Sequence, residues 1–146
     1  MKNIRVFFLI CPCSLFLLHC NSSKNLTIKE NLPQSLIIDK RFSPFELKKA
    51  YHLDTSFILQ NQLIIQVSYI GGCEKQNFSL YTKGDLTKSL PPLTTFYLHS
   101  DFKSDKCNKK VKHLLKFDIS PFKQRYNKTL RISLAGYLHE LTYEPK

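Results

Sequence analysis

Tyr69-Ile70-Gly71-Gly72-Cys73-Glu74-Lys75-Gln76-Asn77-Phe78 lies between two runs of alternating apolar residues. In the run that leads into it, Leu63, Ile65, Val67 and Tyr69 share one face, and Ile64, Gln66, Ser68 and Ile70 share the other. That is the period of a β-strand, and its heavy apolar content predicts a central one. The run that leaves it, Gln76 to Thr82, places Phe78 and Leu80 on one face. Gly71-Gly72 supplies the turn or bulge, so the two runs are expected to form a hairpin.

Working outward, Thr55 to Gln60 reads as a strand joined to Leu63–Ile70 by a tight Asn61-Gln62 connection. Ser35 to Asp39 is an expected first strand. Ser43-Pro44-Phe45-Glu46 has the start signature of a short helix reaching about Tyr51, with a capping Ser and a Pro at the first helical position. Downstream, Leu93 to His99 predicts a strand with Phe96 and Leu98 inward. Lys110 to Ile119 alternates cleanly, with Val111, His113, Leu115 and Phe117 on one face. Ser120-Pro121-Phe122 ends that strand, and Thr129 to Ala135 with Tyr137 to Tyr143 forms a last hairpin around Gly136. Many short strands with regular turn signals predict an all-β fold. The expected architecture is an antiparallel β-sandwich of immunoglobulin-like size over residues 35–146, with one short helix and one disulfide; a small barrel is the alternative. At 146 residues, 42% hydrophobic and 12% aromatic, the chain can build one packed domain.

The first nineteen residues read as an export signal rather than as fold. Lys2 and Arg5 give a short positive region, and Val6 to Leu18 carries no charge. That run is shorter than the roughly 20 apolar residues needed to span a bilayer. It ends Leu17-Leu18-His19-Cys20, and here the chain resembles a bacterial lipoprotein precursor. Leu17 and Cys20 match that class, while His19 departs from its usual small residue, as in the looser boxes of spirochaete lipoproteins. The resemblance covers the first 23 residues. It implies lipidation of Cys20, a flexible tether over residues 20–34 and a protein held on the outer or inner membrane of a bacterial envelope. Of the five cysteines, Cys11 and Cys13 would leave with the signal and Cys20 would carry lipid. Cys73 and Cys107 remain, an even number in an oxidising compartment, and are expected to pair.

Removing Lys2 and Arg5 lowers the formal net charge from +11 to +9. A basic exported protein is expected to meet anionic polysaccharide, lipid headgroups or host matrix rather than nucleic acid, since no aromatic interleaving accompanies the basic clusters. The densest cluster runs from Lys103 to Lys112, with Lys106, Lys109, Lys110 and Lys112 as candidate binding residues. Lysines that guard an edge strand against pairing are the plainer reading. His99, at a strand end beside the cysteine loop, is the histidine singled out for binding. His113 and His139 are expected on apolar strand faces and His52 on the surface. A metal site of Cys73, Cys107, His99 and Asp101 or Asp105 is the alternative to the disulfide, although the spacing matches no standard zinc pattern. No nucleophile elbow, zinc-protease, phosphate-loop or calcium-loop motif occurs, so neither catalytic residues nor a cofactor is expected.

Gly71-Gly72-Cys73, Leu98-His99, Asp105-Lys106-Cys107 and Phe117-Asp118-Ile119-Ser120-Pro121 also resemble a group of uncharacterised exported bacterial proteins, over roughly residues 65–122. The resemblance implies a shared fold and disulfide and no particular activity. That group carries a His three residues after its first Cys, where this chain has Gln76. The function expected from the sequence is that of a membrane-anchored, non-catalytic binding module. A metal protein centred on His99 and a purely structural envelope component are the alternatives.

Overall fold

The computed structural model describes residues 32–44, 50–103 and 105–145. The expected signal over residues 1–19, Cys20 and most of the tether lie outside these residues, as does the body of the helix expected after Ser43. Among the described residues, nine strands and one helix follow in chain order: β1 (Gln34–Ser35), β2 (Ile37–Ile38), β3 (His52–Leu59), β4 (Gln62–Gly71), β5 (Phe78–Thr82), β6 (Leu93–Ser100), β7 (Lys109–Asp118), α1 (Ser120–Arg125), β8 (Leu130–Leu134) and β9 (Glu140–Tyr143). They form a sandwich of two sheets, one in the order β1-β7-β4-β3 and the other β2-β5-β6-β8-β9.

The core lies between the sheets. Leu63, Ile65 and Val67 of β4 and Leu115 and Phe117 of β7 meet Leu80 of β5, Phe96 and Leu98 of β6, Ile132 of β8 and Tyr143 of β9. Alternation explains this set, because every second side chain of each strand points to the same face. β4 is central, as its apolar content requires: it pairs with β3 on one side and along its whole length with β7 on the other. Past Asp118, α1 begins with a Pro in its first turn and inserts Phe122, edge-on to Phe96 at a centroid distance of 5.7 Å. Tyr143 reaches across the sandwich from the last strand, its hydroxyl donating to Asn61 Oδ1 at 2.8 Å in the β3–β4 turn.

Four expectations are corrected. First, the sheets are mixed rather than purely antiparallel: β1 with β7, β2 with β5 and β6 with β8 run parallel. Second, the expected first strand is split. Gln34 and Ser35 join one sheet, Ile37 and Ile38 the other, and buried Leu36 sits at the switch. Third, the Gly-Gly turn does not close a hairpin. β4 and β5 belong to different sheets, so the turn carries the chain from one layer to the other. Both runs have an inner face that is mostly apolar, Leu63, Ile65, Val67 and Tyr69 in one and Phe78 and Leu80 in the other, and these faces meet across the core rather than side by side. Fourth, the last strand starts at Glu140 rather than Tyr137. His139 therefore lies in the preceding turn, exposed and edge-on to Tyr137, and is not a core histidine.

Candidate functional site

The inter-sheet turn is held by two devices. The first is the Cys73–Cys107 disulfide, which joins the turn after β4 to the segment leading into β7. The second is the carboxylate of Asp105. Its Oδ2 accepts the backbone N–H groups of Gly72, Cys73 and Glu74 at 2.8, 3.0 and 2.9 Å, and its Oδ1 accepts that of Cys107 at 2.8 Å. Such a nest of N–H groups needs a chain that curls tightly, and Gly72 adopts a φ of +108°, which disfavours any residue with a Cβ. Gly71 is needed for a different reason: a Cβ there would lie 2.8 Å from Asp105 Oδ2. Gln76, buried one turn further on, exchanges a reciprocal pair with Lys103. Its Oε1 accepts the Lys103 N–H at 3.0 Å, and its Nε2 donates to the Lys103 carbonyl at 3.2 Å.

The N–H group of Glu74, followed by that of Cys107, holds the Asp105 carboxyl below the ordinary range, with Cys73 and Gly72 adding to the effect. A depressed folded-state pKa means stability that is present above the unfolded carboxylate value and lost as pH falls through the folded one. Asp105→Asn is therefore expected to lower the thermal midpoint at pH 7 and to lose less on acidification than the parent chain. Parallel melting curves from pH 7 to pH 3 test this, and parallel acid limbs would refute it. Asp54 also titrates low, chiefly through the Ser68 hydroxyl, but it is common to both chains and cancels in the comparison.

β7 leaves this pinned turn as a basic strand. Lys106 precedes it and Lys109, Lys110 and Lys112 occupy its first turn-proximal positions, all exposed. Lys110 lies opposite Ile70 and Lys112 opposite Ser68 on the outer face, with exposed Leu114 next along. On the side away from β4, the only partner among the described residues is β1, which pairs at Phe117 and Asp118 alone. Lys109, Lys110 and Lys112 thus stand on a stretch of strand whose far edge is unpaired among the described residues. Beside that edge is a cleft of about 160 Å³ whose walls include Lys75, Phe78, His113 and Lys116. His113 is half-buried, edge-on to Phe78 at 5.8 Å, and burial followed by the Lys75 charge pushes its pKa down.

No protein-family model matches the chain, and no curated protein matches it. Solved structures do share its fold. It is similar to a candidate lipoprotein from Bacteroides fragilis, at 12% identity and a TM-score of 0.50, with 77% of this chain covering 71% of that one. It is similar to a NigD-like immunity protein from Bacteroides caccae, at 12% identity and a TM-score of 0.57, with 79% covering 65%. A protein of unknown function from Bacteroides vulgatus aligns at 11% identity and a TM-score of 0.51, with 77% covering 56%. The chain therefore spans about two thirds or less of the second and third of these. At such identities the likeness is one of fold.

The structure sorts the expected site residues. Cys73 and Cys107 are paired. Asp105 lies with them, the ligand atoms of the three falling within 4.8 Å of one another. Each is already committed, the sulfurs to one another and the carboxylate to four N–H groups, so the trio is a structural knot rather than an open ligand set. His99 is not brought to it. Its Nε2 pairs with Asp101 Oδ1 at 3.0 Å, and its ring stands edge-on to Tyr81 on the outer face of the other sheet. His52 is exposed, as expected, and contacts Asp54 Oδ1 at 3.1 Å, while the Ser68 hydroxyl donates to the same oxygen at 2.9 Å. The carboxylate stands between serine and histidine, so no imidazole is placed to take the serine proton, which a hydrolytic triad requires. Among the described residues, no helix is long and apolar enough to cross a membrane.

Asp105 and Gln76 are the structural residues whose roles the sequence did not disclose. A short-range signal existed for the first, since an Asp two residues before Cys107 can accept its N–H in an Asx turn. Nothing local pointed to the other three donors, which lie 31 to 33 residues away.

Proposed function

We propose that this protein is an exported, non-catalytic binding module, anchored to a bacterial envelope membrane through lipid on Cys20, that presents the basic start of β7 to an anionic partner. One observation carries the reading. Lys109, Lys110 and Lys112 on β7, with Lys106 just before it, are concentrated where the strand's N-terminal end is fastened by the disulfide and by Asp105, and the strand's far edge is unpaired there among the described residues. A pinned backbone removes the cost of ordering the strand on binding, leaving that of the lysine side chains, and electrostatic attraction sets the rate of encounter and the preference for an anion. The fold shared with a candidate lipoprotein and an immunity protein supports an exported module without catalysis.

Charge reversal at Lys109, Lys110 and Lys112 tests the site. With each lysine near an anionic surface worth about 1 kcal/mol, the triple Lys→Glu variant is expected to lose more than about a hundredfold in affinity for heparin or for vesicles rich in anionic lipid. Unchanged binding at matched ionic strength would refute the assignment. The anchor is tested separately, by intact mass of the membrane-extracted protein. The expected species begins at an acylated Cys20 and shows two thiols only after reduction, and an unacylated chain would remove the anchor from this reading.

A further inference from the structure

We propose that the open edge of β7 accepts an additional strand, an acidic extended peptide that pairs with the backbone of Lys110, Lys112 and Leu114. The inference rests on the anionic-partner reading and gives that partner a class and a mode of binding.

The hydrogen-bond parity of β7 supplies the argument. The Asp118 carbonyl accepts the Leu36 N–H at 3.1 Å, so the main-chain groups of Asp118 face β1 and not β4. Along a strand these groups alternate in direction. Those of Lys110, Lys112 and Leu114 therefore face the same side, where β1 does not reach. On the corresponding edge of the second sheet, β5 is paired among the described residues only by β2, at Tyr81 and Thr82. Among the described residues these two edges flank the cleft of about 160 Å³, lined by Phe78, His113, Leu114 and Lys75 and, at its β1 end, by Leu32 and Gln34. An incoming strand would find backbone donors and acceptors on β7 and a partly apolar slot for alternate side chains, the two requirements of recognition by strand addition.

Charge selects the occupant. A second copy of the chain would set lysine against lysine across the new pairing, which is the use lysines have on natural edges. The chain's own residues 21–31 contain Lys24, Lys29 and Glu30 and offer no net negative charge. An acidic strand complements Lys110, Lys112 and Lys116 on the outer face and Lys75 beside the cleft. The charges that bar a like strand thus admit an acidic one.

The test uses the full chain and a synthetic peptide alternating Glu with Val, compared with the same peptide N-methylated at alternate backbone amides, with heparin and with anionic vesicles. The unmodified peptide is expected to bind and to slow amide exchange at Lys110, Lys112 and Leu114. Methylation, which leaves charge intact, should weaken it about tenfold or more, as loss of one or more backbone hydrogen bonds requires. K110E/K112E should weaken it comparably at an unchanged thermal midpoint. Equal binding of the methylated peptide, or unaltered exchange at those amides in the complex, would overturn strand addition and leave the anionic-partner reading standing. So would binding of heparin or vesicles without binding of the peptide. Failure of every anionic probe at low salt would overturn both.

Discussion

Replacing Cys73 and Cys107 together with serine is expected to lower the unfolding free energy by about 3–4 kcal/mol, because the bond closes a loop of 34 residues in the unfolded chain. For a domain whose whole stability is of the order of 5–15 kcal/mol, that is a large fraction. The loop contains β5, β6 and the passage between sheets, so its release frees the segment that binds the two layers at this end. Asp105 does not substitute for the disulfide. Three of its four N–H partners are met only after folding has brought the turn and the β7 approach together, whereas the covalent bond restricts the chain before folding. Thermal unfolding of the parent and the double serine variant, each with and without reductant, checks the prediction. The parent should fall to the variant's midpoint on reduction, and a midpoint indifferent to both changes would show that the disulfide adds no stability.

Tyr143→Ala should cost about 3–5 kcal/mol, the range for removing a large aromatic side chain from a packed core. Tyr143 is fully buried in the central cluster, although it lies three residues from the end of the chain. Its ring fills space between the sheets, and its hydroxyl ties β9 to Asn61 in the β3–β4 turn, 82 residues earlier. Tyr143→Phe separates the two contributions. It keeps the ring and removes one hydrogen bond, so its expected loss is about 1 kcal/mol. Denaturant titration of the pair should show a wide gap between the variants. Near-equal losses would mean that the hydroxyl, rather than the ring, holds the last strand in place.

These cases mark how far local pattern reaches. The strands from Leu63 to Ile70 and from Lys110 to Asp118 were legible because alternation is a property of neighbouring residues, and β4 and β7 follow it with β4 at the centre of its sheet. The pairing of Cys73 with Cys107 was legible by count. The Gly-Gly turn was legible as a turn but not as a passage between layers. A turn's residues report its curvature, and the choice between pairing beside and packing across depends on which other strands compete for each edge. His139 was misplaced for a related reason: the register of β9 is decided by pairing with β8, which begins at Glu140. Among the candidate binding residues, Lys109, Lys110 and Lys112 share β7 and Lys106 lies just before it, while His99 is carried to the outer face of the other sheet by its pairing opposite Ser79.

By itself the sequence determined the class of fold, the positions of most strands, the cysteine pair and the basic character of the chain's densest cluster. Each is written in composition or in the spacing of near neighbours. Only the tertiary structure decided that Gln34 to Ile38 is shared between two sheets, that Asp105 gathers the N–H groups of a turn distant in sequence, and that β1 pairs with β7 at Phe117 and Asp118, away from its lysine-rich start. Those outcomes depend on which segments meet after the chain has closed loops of thirty residues or more. The free energy that selects among such closures comes from the shared core and the satisfied backbone, and no short window of sequence contains it.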